Sequence, residues 1–171
     1  FPASSTKCFV RNYRATRIKN SNGWGVALHL FGCSRIFVDG FSIYDCDRGV
    51  ETEAGASRCN VKHGILDTIT DTVLDIHTHI GQGTTHHISY RDIQIVNSPP
   101  SIAVYGADET NRVEHVYMEN IDVSSPSGAG SCPIRCDHGI FRDITFDAPY
   151  ASANTVGFMA VGGSVANHDI T

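Results

Sequence analysis

The stretch RIFVDGFSI, from Arg35 to Ile43, decides the fold because a related pattern recurs along the chain. It returns as HISYRDIQI at 87–95, HVYMENIDV at 115–123 and HGIFRDITF at 138–146. Counted from an anchor position i, apolar residues tend to fall at i, i+2, i+5 and i+7. The anchors stand 28, 24, 28, 28, 23 and 26 residues apart; they are Cys8, Ile36, Asn60, Ile88, Val116, Gly139 and Val165. A period in the twenties with this regularity predicts a repeat architecture.

Position i+4 of each repeat predicts a sharp bend. It carries only Asn, Asp or Gly, at Asn12, Gly40, Gly64, Asp92, Asn120, Asp143 and Asp169. These residue types adopt the left-handed backbone conformation most readily, so we expect two short strands joined by a residue with positive φ. The third repeat departs from the pattern, because Asn60 and Lys62 stand where apolar residues belong and Cys59 and Val61 lie one place away. We expect a bulge or a register slip there.

Each repeat continues into a third stretch with strand alternation. Its apolar pairs are Val26/Leu28, Val50/Thr52, Leu74/Ile76, Ile102/Val104 and Ile134/Cys136. Three strands per repeat, with apolar side chains stacking between repeats, predict an all-β right-handed parallel β-helix of about seven rungs. Residues 1–171 then form a single β-helix domain, which we expect to be part of a longer chain. The alternative, an antiparallel β-sandwich, explains turn signals every 8 to 12 residues or so but not a fixed alignment.

Composition narrows the range of partners. The chain has 18 acidic and 13 basic residues and a formal net charge of -5, which argues against nucleic acid as a partner. No apolar run approaches the roughly 20 residues that span a bilayer, so no membrane partner is expected. The six cysteines form no CxxC pair. Cys132 and Cys136 are predicted either to form a disulfide clip or to remain buried thiols.

The repeat with its Asn/Asp/Gly bend resembles the pectate-lyase-like superfamily. That superfamily contains polysaccharide lyases, polygalacturonase-type hydrolases, mannuronan epimerases and bacteriophage tailspikes. In it the short bend separates the second and third sheets, and glycans lie across the outer face of the first. The resemblance implies that the strand within VLDIHTH, Val73 to His79, belongs to that first sheet. It further implies a polysaccharide partner, a location outside the cell or on a virion surface, and a homo-trimer if the chain is a tail fibre.

Aligned third strands would place polar side chains in two outward columns. The first column is predicted to contain Ala27, Glu51, Asp75, Ala103 and Arg135. The second is predicted to contain His29, Glu53, His77, Tyr105 and Asp137. Neighbouring rungs lie about 4.8 Å apart, so each column brings its titratable side chains close together.

The catalytic candidates are Glu51, Asp75 and His77. The first two would hold their carboxyl groups at roughly the 5 to 5.5 Å of a retaining glycosidase, and repulsion would raise one pKa. His77 is predicted to be a general base oriented by a carboxylate. In another interpretation the two carboxylates share a Ca²⁺ ion with Glu53, as in the lyases that this fold resembles. A zinc site of Asp75, His77 and His79, completed by His86 or His87, is a further alternative.

The predicted substrate-binding residues surround these three positions; they are Glu53, His79, Tyr105, Arg135 and His29. Arg135 could pair with an acidic sugar, and Tyr105 could stack on a ring. The segments 77–87 and 105–115 are predicted to form long loops that wall a groove. We therefore predict cleavage of a glycan, by hydrolysis or β-elimination. The alternative is a non-catalytic glycan-binding or structural β-helix. The histidines at i-1, His87, His115 and His138, are expected to form a second ladder on another face.

Overall fold

All regular structure in the described part of the chain is β-strand. The computed structural model describes residues 7–124, 127, 132–147 and 158–160, which form twelve strands and no helix. Since they contain no helix, they contain none that is long and apolar enough to cross a membrane. What we call the long-strand sheet contains, in spatial order, β1 (Cys8–Thr16), β3 (Ile36–Tyr44), β5 (Ser57–Asp67), β7 (Thr85–Val96), β9 (Val113–Ser124) and β11 (Asp137–Asp147). The short-strand sheet contains β2 (Val26–Phe31), β4 (Arg48–Glu53), β6 (Leu74–His77), β8 (Ile102–Tyr105), β10 (Cys132–Arg135) and β12 (Phe158–Ala160).

Both sheets are parallel throughout their described strands. Consecutive strands along the chain alternate between the two sheets, and each strand pairs with the one two places later. The pairing follows the repeat, since Cys8 pairs with Ile36 and Ile88 with Val116. The prediction of an all-β, parallel architecture is therefore confirmed, and antiparallel pairing of the sandwich alternative is absent from these described strands.

The predicted bends lie inside the long strands. φ is 51° at Asn12, 79° at Gly40, 54° at Asp92, 54° at Asn120 and 52° at Asp143. Each long strand continues through its bend. At the bend the alternation of inward and outward side chains shifts by one residue. In β3, for example, the buried positions are i and i+2 before the bend but i+5 and i+7 after it. The two short strands predicted in each repeat therefore form one long strand with a left-handed residue at its centre.

The third repeat contains the predicted register slip. Cys59, not Asn60, is the true anchor, because it pairs with Ile88 and its neighbour Asn60 pairs with Phe37. The left-handed residue at the i+4 bend is consequently His63, with φ of 56°, and the prediction of Gly64 was wrong. Burial of Cys59 selects this register, since pairing from Asn60 would point polar side chains into the core.

The core lies between the two sheets. The repeat positions of β3, β7 and β9 are buried, as predicted, and the short strands add Leu28, Leu30, Val50, Leu74, Ile76, Ile102 and Val104. Cys132 and Cys136 are both buried and form no disulfide clip with each other, so the second predicted alternative, buried thiols, is the one observed. The final repeat positions Val165 and Asp169 lie outside the described residues.

Candidate functional site

Two neighbouring short strands carry the predicted catalytic residues. β4 and β6 pair in parallel so that Glu51 lies beside Asp75. Along both strands the apolar residues face the core, and the intervening Glu51, Glu53, Asp75 and His77 face the opposite side. The sequence prediction that these side chains share one face is confirmed. We call the group His29, Glu51, Glu53, Asp75, His77 and His79 the polar cluster.

The centre of the polar cluster is buried, which the sequence did not predict. Glu51 is 5% exposed, Asp75 4% and His77 2%, although all three were expected on an open outer surface. They cover one another, and the Tyr105 ring stacks on the His77 ring with a centroid distance of 5.2 Å and an interplanar angle of 9°. Solvent reaches the cluster at His29 and His79, whose side chains are 38% and 58% exposed.

His77 is the hub of the contacts. Its Nε2 atom lies 3.0 Å from Glu53 Oε2, 3.1 Å from His79 Nε2 and 3.7 Å from Glu51 Oε1. Its other ring nitrogen, Nδ1, lies 3.1 Å from Asp75 Oδ1. That approach is poorly directed for a hydrogen bond, so both atoms are buried without a well-aligned partner. His29 Nε2 lies 2.7 Å from Glu53 Oε1 and fixes the other side of that carboxylate.

Burial and neighbouring charges shift the pKa values in the cluster. Burial, and then the adjacent Asp75 carboxylate, raise the pKa of Glu51. Burial alone would lower the pKa of His77, but Asp75, Glu53 and Glu51 outweigh it and raise the pKa. A raised pKa favours the imidazolium over the neutral ring, and the role of His77 as a general base stays a prediction. Burial, followed by Asp75, raises the pKa of Tyr105 to about 12.

The predicted registers of two strands, β2 and β10, were wrong by two residues. His29, not Ala27, lies beside Glu51, and Arg135 lies beside Tyr105, not beside Ala103. In the observed registers, Leu28 and Leu30 align with Val50 and Thr52. Cys132 and Ile134 correspond to Ile102 and Val104. The sequence could not distinguish these registers, because β2 and the β10 region each offer three alternate apolar residues, and a shift of two preserves the inward face.

The predicted substrate-binding residues divide into two groups. His29, Glu53 and His79 belong to the polar cluster, and Tyr105 contacts it through the His77 ring. Arg135 does not join it, because its guanidinium donates to the Gly106 carbonyl beyond Tyr105. Asp137, predicted in the second column, pairs instead with Arg112 Nη1 at 3.0 Å.

Sequence reasoning missed Arg48 and Trp24. Arg48 Nη1 lies 3.4 Å from Glu51 Oε2, and its Nε lies 3.0 Å from Asp71 Oδ2. The same guanidinium lies 4.1 Å from the centre of the Trp24 ring, which is 61% exposed. Arg48 therefore connects an exposed aromatic surface to the buried carboxylates. The only signal in the sequence was its position three residues before Glu51.

The two predicted loops follow β6 and β8 and contact each other. Asn111 Oδ1 accepts hydrogen bonds from the backbone amides of Gly81 at 3.0 Å and Gly83 at 2.9 Å. Asp108 in turn accepts hydrogen bonds from Thr110 and from Asn111, which lower its pKa to about 2. The segments 78–84 and 106–112 thus form a connected wall beside the cluster.

Three overlapping sets of potential metal ligands converge within 4.8 Å; they are Glu53/His77/His79, His29/Glu51/Glu53 and Glu51/Asp75/His77. Among the described residues, no such set contains His86 or His87. His87 instead belongs to the predicted second ladder on the long-strand sheet, which is confirmed, and His86 contacts that ladder through the edge of the His87 ring. The His87 and His115 ring centroids lie 4.6 Å apart with the rings tilted by 34°, and His115 stacks on His138 at 4.8 Å.

No protein-family model, no curated protein and no solved structure matches this chain. The geometry of the polar cluster and its surroundings is therefore the basis for assigning a function.

Proposed function

We propose that the chain is a right-handed parallel β-helix that cleaves a polysaccharide on the outer face of the short-strand sheet. The regular alternation of strands between two parallel sheets supports a coil of about seven rungs, each made of three short strands if a long strand is counted as two. This architecture is similar to that of the pectate-lyase-like superfamily. A protein of this kind would act outside the cell or on a virion surface, either alone or as a homo-trimer.

The observation that carries the proposal is the pairing of Glu51 with Asp75 beside His77. One ligand atom from each of these residues lies within 4.8 Å of the others, so the carboxyl groups are close enough to act on one glycosidic bond. In hydrolysis, one carboxyl group protonates the leaving oxygen and the other attacks or stabilises the anomeric carbon. In β-elimination, one side chain of the cluster acts as a base and removes the proton beside a uronic acid carboxylate. The glycosidic oxygen leaves the neighbouring carbon as the double bond forms, and a second side chain protonates it.

The surroundings of the cluster suit a sugar chain. The wall formed by 78–84 and 106–112 borders one side, and Trp24 offers an exposed ring for stacking against a sugar face. Arg48 joins Trp24 to Glu51 and could pair with an acidic sugar. The exposed His79 side chain covers Glu53 and His77, so its rotation would open the cluster to a substrate.

The proposal is tested by incubating the protein with a panel of acidic and neutral polysaccharides. Hydrolysis releases reducing ends alone, whereas β-elimination also produces the ultraviolet absorbance of an unsaturated sugar. Glu51→Gln and Asp75→Asn should abolish either signal. Each amide has the shape of a protonated carboxyl group and no charge, but it cannot act as an acid, a base or a nucleophile. Asp122→Asn is the matched control, because Asp122 lies on the long-strand sheet, where its carboxylate accepts a hydrogen bond from Thr145. Equal turnover by all four proteins would contradict the proposal.

A non-catalytic glycan-binding or structural β-helix is the second candidate. The burial of Glu51 and Asp75 favours it, since buried charges that satisfy one another need not meet a substrate. This candidate predicts that the protein retains a glycan of the panel without cleaving it. It also predicts that Asp75→Asn leaves glycan retention unchanged.

A further inference from the structure

Two buried side chains of the polar cluster, Glu53 and His77, and the exposed His79 direct their polar atoms at one point. His77 Nε2 lies 3.0 Å from Glu53 Oε2 and 3.1 Å from His79 Nε2, and the latter lies 3.9 Å from the same Glu53 oxygen. The atoms come from two neighbouring strands and the loop that follows β6. We call Glu53, His77 and His79 the ligand triad.

Hydrogen bonding alone does not satisfy the triad. One N–H on His77 Nε2 can be directed at Glu53 or at His79, but not at both. If His79 carries the proton instead, the bare lone pair of His77 faces the Glu53 carboxylate at 3.0 Å. A cation at the centre would accept a lone pair from all three atoms at once.

The size of the triad suits a small divalent ion. Zinc binds imidazole nitrogen and carboxylate oxygen at about 2.0 to 2.2 Å, which places neighbouring ligand atoms of a tetrahedral site roughly 3.3 to 3.6 Å apart. The three edges of the triad are 3.0, 3.1 and 3.9 Å. Bringing them to tetrahedral spacing therefore requires shifts of only a few tenths of an ångström.

The environment behind the triad is a second, independent observation. His77 Nδ1 and Asp75 Oδ1 are buried 3.1 Å apart without a well-aligned partner. Histidines that bind a metal through one nitrogen almost always donate the other N–H to a carboxylate or carbonyl. A small rotation of the His77 ring towards a bound ion would complete that arrangement. His29 holds the second oxygen of Glu53 at 2.7 Å, so it supports the carboxylate ligand in the same way.

We propose that Glu53, His77 and His79 bind a zinc ion, with the fourth position available to Glu51 or to water. Two imidazole ligands favour zinc over Ca²⁺, which takes six to eight oxygen ligands. The three buried carboxylates and the Arg48 guanidinium carry a formal charge of -2, which a divalent ion neutralises. This site differs from the zinc alternative predicted from the sequence, because Glu53 replaces Asp75 as a ligand and no histidine of β7 takes part.

Isothermal titration of the metal-free protein with ZnCl₂ tests the proposal without any glycan. We expect one zinc ion per chain, and Co²⁺ should give the intense visible absorption of a tetrahedral site. His79→Ala should weaken zinc binding by more than about tenfold, because it removes a ligand. It should retain the fold, because the His79 side chain is largely exposed. Asp75→Asn should weaken it about 10- to 100-fold, as expected for the carboxylate partner of a ligating histidine.

His115→Ala is the matched control, since this exposed histidine belongs to the ladder on the other sheet. It should leave the affinity for zinc unchanged. The proposal is overturned if wild-type protein does not bind zinc, if His79→Ala binds as tightly as wild type, or if CaCl₂ titrates the site and ZnCl₂ does not. The titration contains no glycan, so a failure to bind zinc does not contradict the proposed cleavage. In the same way, a failure to cleave glycans does not contradict zinc binding.

Discussion

The hydroxyl oxygens of Thr52 and Tyr90 lie 2.7 Å apart in the core, joining the short-strand sheet to the long-strand sheet. The Tyr90 hydroxyl also lies 3.2 Å from the Asp75 carbonyl oxygen, to which it can donate a hydrogen bond. Both contacts are buried on the core side of β4 and β6, on the face opposite to the polar cluster. The core therefore holds the backbone that carries Glu51 and Asp75 in a fixed register.

Tyr90→Phe should destabilise the protein by about 1 to 3 kcal/mol, because it leaves buried polar groups of Thr52 and Asp75 without this partner. Urea unfolding followed by circular dichroism measures the change. Tyr44→Phe is the control, since that ring is exposed and its replacement should change stability by less than about 0.5 kcal/mol. Equal effects of the two substitutions would show that the buried contact contributes nothing.

Ile121→Ala should cost about 2 to 5 kcal/mol, because Ile121 is fully buried at position i+5 of its repeat and its truncation leaves a cavity. Ile65→Ala, on the outer surface of β5, removes the same atoms from a half-exposed position. Its cost should be well below that of the buried site. Comparable losses in a denaturant titration would contradict the assignment of inward and outward positions.

Asp143 tests the left-handed bend, since its φ is 52°. Asp143→Gly and Asp143→Val remove the same carboxylate but differ in the cost of positive φ. The valine variant should be less stable than the glycine variant by about 1 to 2 kcal/mol. If thermal melting ranks valine equal to or above glycine, the bend is not left-handed in solution.

The histidine ladder should make stability fall in mild acid. Burial, then His115, His86 and Arg58, lower the pKa of His87, whereas Glu114 opposes the shift. A histidine with a lowered folded pKa contributes its full stability above the unfolded value of about 6.5 and loses it as the pH falls towards the folded value. In a plot of melting temperature against pH, His87→Gln should reduce the fall in melting temperature below about pH 6.5. An unchanged pH profile in the variant would exclude His87 as its source.

Asn111→Ala should loosen the wall beside the polar cluster. It removes the acceptor for the amides of Gly81 and Gly83, so the free energy of opening at these amides should fall by about 1 to 3 kcal/mol. Native-state hydrogen exchange at the two glycines measures this change. Glu109→Ala, an exposed change in the same loop, should leave both amides protected.

The sequence predicted the parallel β architecture because two signals agreed along the chain. Apolar alternation gave the inward positions, and Asn, Asp or Gly marked the bends in five described repeats. In the third repeat the bend residue was predicted wrongly, because Gly64 is a residue type that favours positive φ. Burial of Cys59 and Val61 sets a register in which the bend lies at His63 instead. A favourable residue type at one bend carries less free energy than a row of buried side chains.

The candidate site was predicted less completely than the fold. Alternation identified Glu51, Asp75 and His77 on one face, but it cannot distinguish registers that differ by two residues, so His29 and Arg135 were misplaced. Burial of the cluster depends on the ring of Tyr105 and on contacts within the group, which a strand pattern does not contain. Trp24 was missed because it lies in the irregular segment before β2, outside the repeating positions.

The central claim is that glycans bind and react at the polar cluster. Crystals of the Asp75→Asn variant soaked with oligosaccharides of the polysaccharide panel test it most directly, because they locate the sugar. The account predicts a sugar ring over the short-strand sheet between Trp24 and His79, with a glycosidic oxygen within hydrogen-bond distance of Glu51. Sugar bound only on the long-strand sheet, with the cluster still covered by His79, would contradict it.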